Sequence, residues 1–301
     1  MTNRIGPVLI TGGQGQLARA LADATAAAGI EAVRVGRPEF DFDRSDRLDA
    51  LVRRHAPWAI VNAAAYTAVD RAETERDAAF RANRDGPARL ARLAADVGIP
   101  LIHISTDYVF DGAKGAPYVE TDPVSPASVY GASKLAGEQA VLGSDAQAIV
   151  LRTSWVYAPQ GRNFLLTMLN AARKTDRLRV VADQKGCPTA AADLARAIVV
   201  SLDALRGSGW QPRYGGLFHA AGDGWTTWHG FATAIFREAA RYGTPEPRVE
   251  PIATADWPTP AHRPADSRLD CAKFAATFGH RLPHWASALA QTVATVVSRD
   301  G

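Results

Sequence analysis

The chain has 301 residues, 47% of them hydrophobic and 22% charged, with a formal net charge of +3. This composition is typical of a globular protein with a sizeable core, and the basic residues are too scattered to indicate nucleic-acid binding. No apolar run approaches the ~20 residues of a membrane span, and neither the two cysteines nor the seven histidines show metal-ligand spacing. With no signal peptide visible, we expect a cytoplasmic protein without a bound metal or a membrane partner.

Short apolar strands alternate with helical stretches over the first half of the chain, which predicts an α/β fold with a doubly wound parallel sheet. Residues 1–155 are expected to form this Rossmann domain, and residues 156–301 mainly a smaller lobe, with some segments returning to the first domain. The predicted strands are Val8–Thr11, Ala32–Val35, Ala59–Asn62, Leu101–Ser105 and Ile149–Arg152, and the predicted helices are Gln14–Ala28, Arg47–His55, Arg76–Val97 and Val129–Leu142.

A glycine-rich turn follows the first strand. Gly12 and Gly15 open a G-x-x-G-x-x-A pattern in which Ala18 takes the place of the usual third glycine. Glycines let the backbone approach a pyrophosphate closely, and the N-terminus of the following helix offers free N–H groups and a favourable dipole. This turn predicts dinucleotide binding.

The end of the second strand predicts which dinucleotide binds. NAD-binding proteins often place an acidic residue there, whereas an arginine suits the 2′-phosphate of NADP. Arg34 and Arg37 lie at this point and no acid follows Val35 directly. We therefore expect a preference for NADPH, with NADH also possible.

Three polar residues lie where a catalytic site is expected. Thr106 follows the fourth strand, at the sheet edge where ligands of open α/β proteins bind. Tyr130 and Lys134 are four residues apart and share one face of a predicted helix. We expect the Lys134 ammonium to lower the pKa of Tyr130, so that the phenol acts as general acid and base in carbonyl–alcohol chemistry.

The second half of the chain alternates less regularly. Asn163–Lys174 and Ala191–Leu205 are predicted helices, and Thr227 is expected to cap a third helix that carries Trp228, Phe231, Ile235 and Phe236 on one face. The long loop of residues 107–128 is expected to form a wall of the active site.

These motifs resemble the extended short-chain dehydrogenase/reductase family, and within it the reductases that make dTDP-L-rhamnose. The resemblance covers nearly the whole chain and is carried by the glycine turn, the region around Tyr130 and several later runs. These runs include residues 61–73, 105–112, 120–126, 152–157, 183–189 and 263–269.

The resemblance implies NADPH-dependent reduction of the C4 ketone of dTDP-4-dehydro-β-L-rhamnose, the last step of dTDP-rhamnose biosynthesis. Tyr130 would donate the proton, Lys134 would also hold the nicotinamide ribose, and Thr106 would bond the substrate oxygen. The implied cofactor-binding residues are Gly12, Gly15, Gln16, Leu17, Arg37, Asp41, Phe42, Ala63, Ala64, Ala65, Thr67, Tyr130 and Lys134. The implied substrate-binding residues are Thr106, Asp107, Trp155, Asn163, Phe164 and Arg263.

Other functions remain open at this point. A dehydratase of the same superfamily is disfavoured because Tyr108, not a glutamate, follows Asp107. A reductase that makes another isomer, such as dTDP-6-deoxy-L-talose, differs only in pocket shape. A third alternative is a non-catalytic regulatory subunit with this fold, as found among relatives that bind methionine adenosyltransferase.

The expected assembly is a monomer or a homodimer. Some relatives form metal-bridged dimers through glutamates on the first helix, whereas the corresponding stretch here, residues 18–21, carries no carboxylate. A magnesium-bridged dimer is therefore not expected.

Overall fold

The computed structural model describes residues 6–42 and 46–300, and the side chains of residues 47–298 in the second range. Strands and helices alternate through the first half of the chain, as the hydrophobic pattern predicts. In chain order these elements are β1 (Val8–Thr11), α1 (Gln16–Ala27), β2 (Ala32–Val35), α2 (Asp46–His55), β3 (Ala59–Asn62), α3 (Val69–Ala72), α4 (Arg76–Phe80), α5 (Gly86–Val97), β4 (Leu101–Thr106), α6 (Val129–Leu142) and β5 (Ala148–Thr153).

The second half adds short strands and further α-helices. These elements are β6 (Val156–Tyr157), α7 (Phe164–Ala172), β7 (Arg177–Val181), β8 (Lys185–Gly186), β9 (Thr189–Ala190), α8 (Ala191–Ser208), β10 (Gly216–His219), β11 (Thr226–Thr227), α9 (Trp228–Ala240), β12 (Arg248–Ile252), α10 (Ala272–Phe278) and α11 (Trp285–Asp300).

A six-stranded parallel sheet lies at the centre, in the order β10-β5-β4-β3-β1-β2. The predicted fold class is thus confirmed. The chain runs outward from β1 to β2 and then returns to β3 on the other side of β1. Ligands of open α/β sheets bind at such a reversal, beyond the carboxyl ends of the strands.

Both faces of the sheet are covered by helices. On β1, Val8 and Ile10 pack beneath α1, α8 and α10, whereas Leu9 points to the opposite face beneath α2 and α5. Because neighbouring side chains on a strand point to opposite faces, a strand covered on both sides is apolar throughout. This explains the continuous burial of Val8–Thr11.

A separate cluster of buried side chains lies in the second half of the chain. Helices α7, α9 and α11 meet there through Leu165, Leu169, Phe231, Ile235 and Val293. Thr227 caps α9 by accepting a hydrogen bond from Gly230 N at 3.0 Å, as predicted. Phe231, Ile235 and Phe236 are fully buried on the expected face.

Several predicted boundaries differ from the structure. The helix predicted over Arg76–Val97 is divided, with a π-helical turn over Arg81–Asp85 between α4 and α5. Pro87 lies in the first turn of α5, and a proline lacks the N–H that would continue the preceding hydrogen-bond ladder. The helix α6 spans Val129–Leu142, as predicted.

The sixth strand of the sheet has no counterpart among the predicted elements. β10 is only four residues long, pairs in parallel with β5, and places Phe218 in the core shared with α8. A short apolar run can form either a strand or part of a buried helix, so its sequence does not identify it. Its pairing partner lies more than sixty residues earlier in the chain.

Candidate active site

A cleft of about 1280 Å³ lies along the carboxyl edge of the sheet, at the reversal between β1 and β3. It is lined by residues from both halves of the chain. Most of the predicted site residues meet here: Gly12, Gly15, Gln16, Leu17, Arg37, Asp41, Phe42, Ala63, Ala64, Ala65, Thr67, Thr106, Asp107, Tyr130, Lys134 and Trp155. The sequence motifs thus converge on one surface.

The glycine turn brings three stretches of backbone close together. Gly12 has φ +106°, and a Cβ there would lie 2.9 Å from the Ala63 carbonyl oxygen. Gly13 faces Gly36, where a Cβ would lie 2.4 Å from the Gly13 Cα. Side chains at these positions would fill or distort the turn, so the glycines keep its backbone open to a ligand.

Helix α1 begins at this turn with Gly15 as its N-cap, which carries no side-chain cap. The first N–H groups of a helix lack partners within the helix and suit an anion. Ala18 is fully buried against the sheet. Its small side chain permits the close helix–strand contact for which the third glycine of the motif is used.

Two arginines lie on the cleft wall at the end of β2. Both Arg34 and Arg37 are exposed, and Arg37 Nε lies 3.0 Å from Asp41 Oδ2. The carboxylate therefore holds one guanidinium at the place where the sequence predicts contact with a 2′-phosphate. Phe42 lies beside Asp41 and packs edge-on against Phe40.

The loop after β3 is held by buried polar groups. Thr11 Oγ1 donates to Asn62 Oδ1 at 2.6 Å, and Ala64 N donates to Thr11 Oγ1 at 3.2 Å. Tyr66 N donates to Asn83 Oδ1 at 2.8 Å. These bonds place the backbone of residues 63–67 along the cleft.

Thr106, Tyr130 and Lys134 meet at the centre of the cleft. Thr106 ends β4, and its hydroxyl donates to Asp107 Oδ1 at 3.0 Å beside Tyr130. Helix α6 presents the other two residues, and Ser128 caps it by accepting from Gly131 N at 3.1 Å. Gly131 is required because a Cβ there would lie 2.2 Å from the Tyr108 carbonyl oxygen.

The electrostatics of this centre differ from the prediction. Lys134 Nζ donates to the Ile104 carbonyl at 2.6 Å. Burial raises the pKa of Tyr130 to about 12, opposed by the neighbouring Thr106 hydroxyl. The expected lowering of this pKa by Lys134 is not found in the protein as described, where burial of the phenol and the Asp107 carboxylate both raise it. Burial also lowers the pKa of Lys134 to about 8, opposed by Glu138.

Glu138 and Arg152 form a buried ion pair close to Lys134. Glu138 lies one turn further along α6 and accepts two hydrogen bonds from Arg152 of β5, at 2.9 and 2.7 Å. Both side chains are at most 3% exposed. The pair joins the catalytic helix to the sheet.

Asp107 is buried beside Thr106 and follows it in the chain. Its carboxylate accepts from Thr106 Oγ1 at 3.0 Å and from Ser154 Oγ at 2.9 Å, and the Ser267 hydroxyl, which donates to the Lys185 carbonyl, lies nearby. Burial raises the pKa of Asp107 to about 6, and these hydroxyls oppose the shift. From the loop of residues 107–128, Asp107 and Tyr108 line the cleft.

An aromatic stack forms another wall. Trp155 lies parallel to Trp228 with ring centroids 3.5 Å apart, and both indoles line the cleft. Trp155 has φ +46°, a strained value for a bulky residue that is typical of functional sites. The sequence predicted only that Trp228 packs on one face of its helix. Helical spacing does not indicate that this residue borders the cleft.

Three predicted substrate residues do not line this cleft. Asn163 caps α7, accepting from Leu166 N, and its amide donates to Gln16 Oε1 at 2.7 Å. Phe164 packs on Trp228 at 4.6 Å between centroids. Arg263 forms an ion pair with Asp70 at 2.9 Å. Their contact with substrate stays a prediction.

Within residues 6–42 and 46–300, no cluster of three or more His, Cys, Asp or Glu side chains is placed to hold a metal. Within the same ranges, no helix has the length and apolar character needed to cross a membrane.

Comparison with known proteins identifies the family. The profile of the family described as the RmlD substrate binding domain matches residues 6–298. A dTDP-4-dehydrorhamnose reductase of Sinorhizobium fredii is 47% identical over 277 residues, which cover 92% of this chain and 93% of the relative.

Solved structures show the same similarity. A dTDP-4-dehydrorhamnose reductase from Clostridium acetobutylicum superposes with a TM-score of 0.89 at 34% identity, covering 96% of this chain and 99% of the other. The enzyme of the same name from Bacillus anthracis, solved in complex with NADP, gives 0.87 at 32% identity, covering 97% and 99%.

Proposed function

The chain belongs to the RmlD substrate binding domain family, and from this membership we propose that it reduces the C4 ketone of dTDP-4-dehydro-β-L-rhamnose to dTDP-L-rhamnose with NADPH. It is an oxidoreductase of dTDP-rhamnose biosynthesis. One observation carries the assignment: Thr106, Tyr130 and Lys134 meet in a cleft that also contains the glycine turn.

The cleft fits a dinucleotide. The glycine turn provides a cradle that side chains would fill, and α1 directs its first N–H groups there. The buried hydroxyls of Ser105 and Thr153 lie on the cleft wall and have no hydrogen-bond partner in the described protein, as expected where a polar ligand completes them. When bound, NADPH supplies the hydride to C4. Arg34 and Arg37 favour its 2′-phosphate, although NADH is also accepted by the proposed site.

Tyr130 acts as the general acid in this proposal. Its high pKa keeps the phenol protonated at neutral pH, so it holds the proton that O4 receives. Lys134 holds the ribose hydroxyls, and its ammonium stabilises the phenolate that remains. Thr106 would turn its hydroxyl to the substrate oxygen and tunes the proton transfer, since it lowers the pKa of the neighbouring Tyr130.

The substrate occupies the other end of the cleft in this proposal. Trp155 presents an indole face to the sugar, and Asp107 borders the same space. Asn163, Phe164 and Arg263 act at its margin, where a guanidinium suits a diphosphate. Residues 1–155 bind the dinucleotide and residues 156–301 mainly the sugar nucleotide, while α8 and β10 return to the sheet.

The enzyme works in the cytoplasm, as a monomer or a homodimer, without a structural metal. The free thiols of Cys187 and Cys271 support the cytoplasmic location. The absence of carboxylates from residues 18–21 of α1 supports an assembly without a bridging metal.

An NADPH oxidation assay tests this function. The ketosugar is generated by the preceding epimerase, and the product is identified by NMR. We expect the L-rhamno product. The 6-deoxy-L-talo isomer would assign the chain to the alternative reductase, and no turnover with bound NADPH would favour a non-catalytic subunit.

A further inference from the structure

The stacked indoles of Trp155 and Trp228 are contacted by the strand β8 and the residue before it. A Cβ at Gly186 of β8 would lie 2.3 Å from Trp155 Cε2, so the strand passes directly against this indole. Two residues earlier, Gln184 Oε1 accepts a hydrogen bond from Trp228 Nε1 at 3.2 Å. Residues two apart in an extended stretch point to the same side. One short stretch of chain therefore contacts both indoles of the stack.

The Gln184 side chain is buried, and both ends of its amide are bonded. Its Nε2 donates to Thr254 Oγ1 at 3.0 Å, and Thr254 Oγ1 in turn donates to Asp183 Oδ1 at 2.6 Å. An indole N–H can only donate, and a threonine hydroxyl whose proton is already engaged can only accept. The amide is therefore fixed with its oxygen towards Trp228 and its nitrogen towards Thr254. Neither a carboxylate nor an aliphatic side chain supplies both bonds.

The far end of this connection is anchored where two paired strands end. The strands β7 (Arg177–Val181) and β12 (Arg248–Ile252) pair in parallel, and Asp183 and Thr254 follow them. Thr254 N donates to the two Asp183 carboxylate oxygens at 3.0 and 2.9 Å. Gln184 therefore ties the indole stack to the backbone of the second half of the chain.

The stack includes a residue whose conformation depends on its surroundings. Trp155 has φ +46°, which is rare for a bulky residue and persists only where the neighbouring structure determines it. Trp228 lies parallel to it at 3.5 Å, and Phe164 packs on Trp228. Stacked rings can still slide and turn in their common plane. A hydrogen bond to the indole N–H prevents that motion, so the Gln184 amide sets where Trp228 holds Trp155.

We propose that Gln184 is a positioning residue for recognition of the sugar, an inference that rests on the proposed function. By fixing Trp228, it holds the Trp155 indole in the orientation that contacts the sugar ring of the bound dTDP-sugar. Gln184 contacts neither the cofactor nor the reacting atoms in this arrangement. Its loss should therefore weaken the contribution of the sugar to binding and leave NADPH affinity unchanged.

The test compares the affinities of dTDP-L-rhamnose and dTDP, measured by titration calorimetry with NADP⁺ bound. Gln184→Leu has a similar volume but makes neither hydrogen bond. It should weaken binding of dTDP-L-rhamnose about tenfold, the scale of one or two lost hydrogen bonds, and leave binding of dTDP and of NADPH unchanged. Equal weakening of the two dTDP ligands, or no weakening of either, would overturn the proposal.

Lys185→Gln is the matched control. Lys185 lies between Gln184 and Gly186, and its side chain points to the other side of the strand, where Nζ is 5.6 Å from the ring of the exposed Trp225. All three affinities should stay at their wild-type values. A sugar-specific loss as large as that in Gln184→Leu would show that the whole strand, and not the Gln184 amide, positions the stack, which would contradict the proposal.

A double-mutant cycle shows whether Gln184 acts through Trp228. Trp228→Phe removes the indole N–H, so addition of Gln184→Leu should weaken binding of dTDP-L-rhamnose little further, whereas additive losses would reject the mechanism. Thr254→Val removes the partner at the other end of the amide and changes a partly exposed residue. It should cause a loss in the same direction, and none in the Trp228→Phe background. This variant decides the question if thermal melting shows that Gln184→Leu does not fold.

A second readout requires no substrate. Two indoles stacked at 3.5 Å couple excitonically in the circular dichroism spectrum, and the couplet is assigned by its loss in Trp155→Phe. It should shrink in Gln184→Leu and in Thr254→Val and persist in Lys185→Gln. A couplet unchanged in Gln184→Leu would exclude the positioning role alone. Wild-type protein that shows the expected couplets but does not reduce the ketosugar would exclude the proposed reductase function.

Discussion

At the scale of the residue, the chemistry depends on how burial changes the pKa of single side chains. Tyr130 is four residues from Lys134 on α6, yet its phenol is kept protonated because it is desolvated, and Lys134 Nζ bonds a backbone carbonyl. Burial disfavours the charged form of an acid and of a base alike. The pKa values of Tyr130 and Lys134 therefore move apart, to about 12 and about 8.

Tyr130→Phe removes the proposed proton donor and little else. We expect turnover to fall by at least ~10²-fold, the usual scale for a general acid, with NADPH affinity nearly unchanged. Stopped-flow rates and fluorescence titration measure the two quantities. Tyr108→Phe removes a neighbouring hydroxyl, which faces Arg263, and should cost much less. Near-normal turnover of Tyr130→Phe would reject its role.

Arg37→Ala tests the choice of cofactor. A charge-assisted hydrogen bond to a 2′-phosphate should make NADPH the better cofactor, and loss of the exposed guanidinium should lower the NADPH to NADH ratio of kcat/KM by about tenfold. Arg54→Ala is the control, since Arg54 is similarly exposed and pairs with Glu39. Equal NADPH to NADH ratios of kcat/KM in the wild type, Arg37→Ala and Arg54→Ala would show that Arg37 does not contact the 2′-phosphate.

At the scale of the element, backbone contacts decide where the motifs stand. The end of β2 touches the glycine turn at Gly36 and Gly13, and the end of α6 is tied to β5 by Glu138 and Arg152. Neither contact involves groups adjacent in sequence. Each aligns one element with the cleft.

Gly36→Ala should disturb the turn, because the added Cβ would lie 2.4 Å from the Gly13 Cα. We expect a loss of about 1–3 kcal/mol in the free energy of unfolding and weaker NADPH binding. Gly207→Ala is the matched control: Gly207 is exposed on α8, and a Cβ there meets nothing within 4 Å. Denaturant unfolding and fluorescence titration compare the variants. Unchanged NADPH affinity in Gly36→Ala would show that the contact between Gly36 and Gly13 does not shape the cofactor site.

At the scale of the whole molecule, buried titratable groups set the response to acid. Burial lowers the pKa of His219 to about 3 and that of His103 well below its usual value. Below about pH 6.5 the unfolded chain binds protons that these folded histidines do not, so stability falls as the pH falls. The raised pKa of Asp107 acts in the opposite direction between its ordinary value of 3.8 and about 6.

His219→Asn should make the protein less sensitive to acid. The asparagine amide can replace the Nδ1 group that meets the Tyr118 and Asp270 carbonyls, but it does not titrate. Between about pH 6 and about pH 4, the free energy of unfolding falls as the pH falls. In His219→Asn it should fall by about 1.4 kcal/mol less per pH unit than in the wild type. Urea unfolding at several pH values measures it, with His262→Asn, on an exposed histidine, as control. An unchanged slope in His219→Asn would exclude His219 as a source of the acid lability.

The sequence alone determined the class of fold, the glycine turn and α6 with Tyr130 and Lys134, because these depend on local periodicity and spacing. The family followed from the resemblance of its motifs. Tertiary structure decided what depends on distant partners. β10 joined the sheet by pairing with β5, Trp228 reached the cleft by stacking on Trp155, and the pKa of Tyr130 rose rather than fell. Desolvation and pairing are properties of the assembled core, and no local pattern of residues encodes the environment that distant segments create.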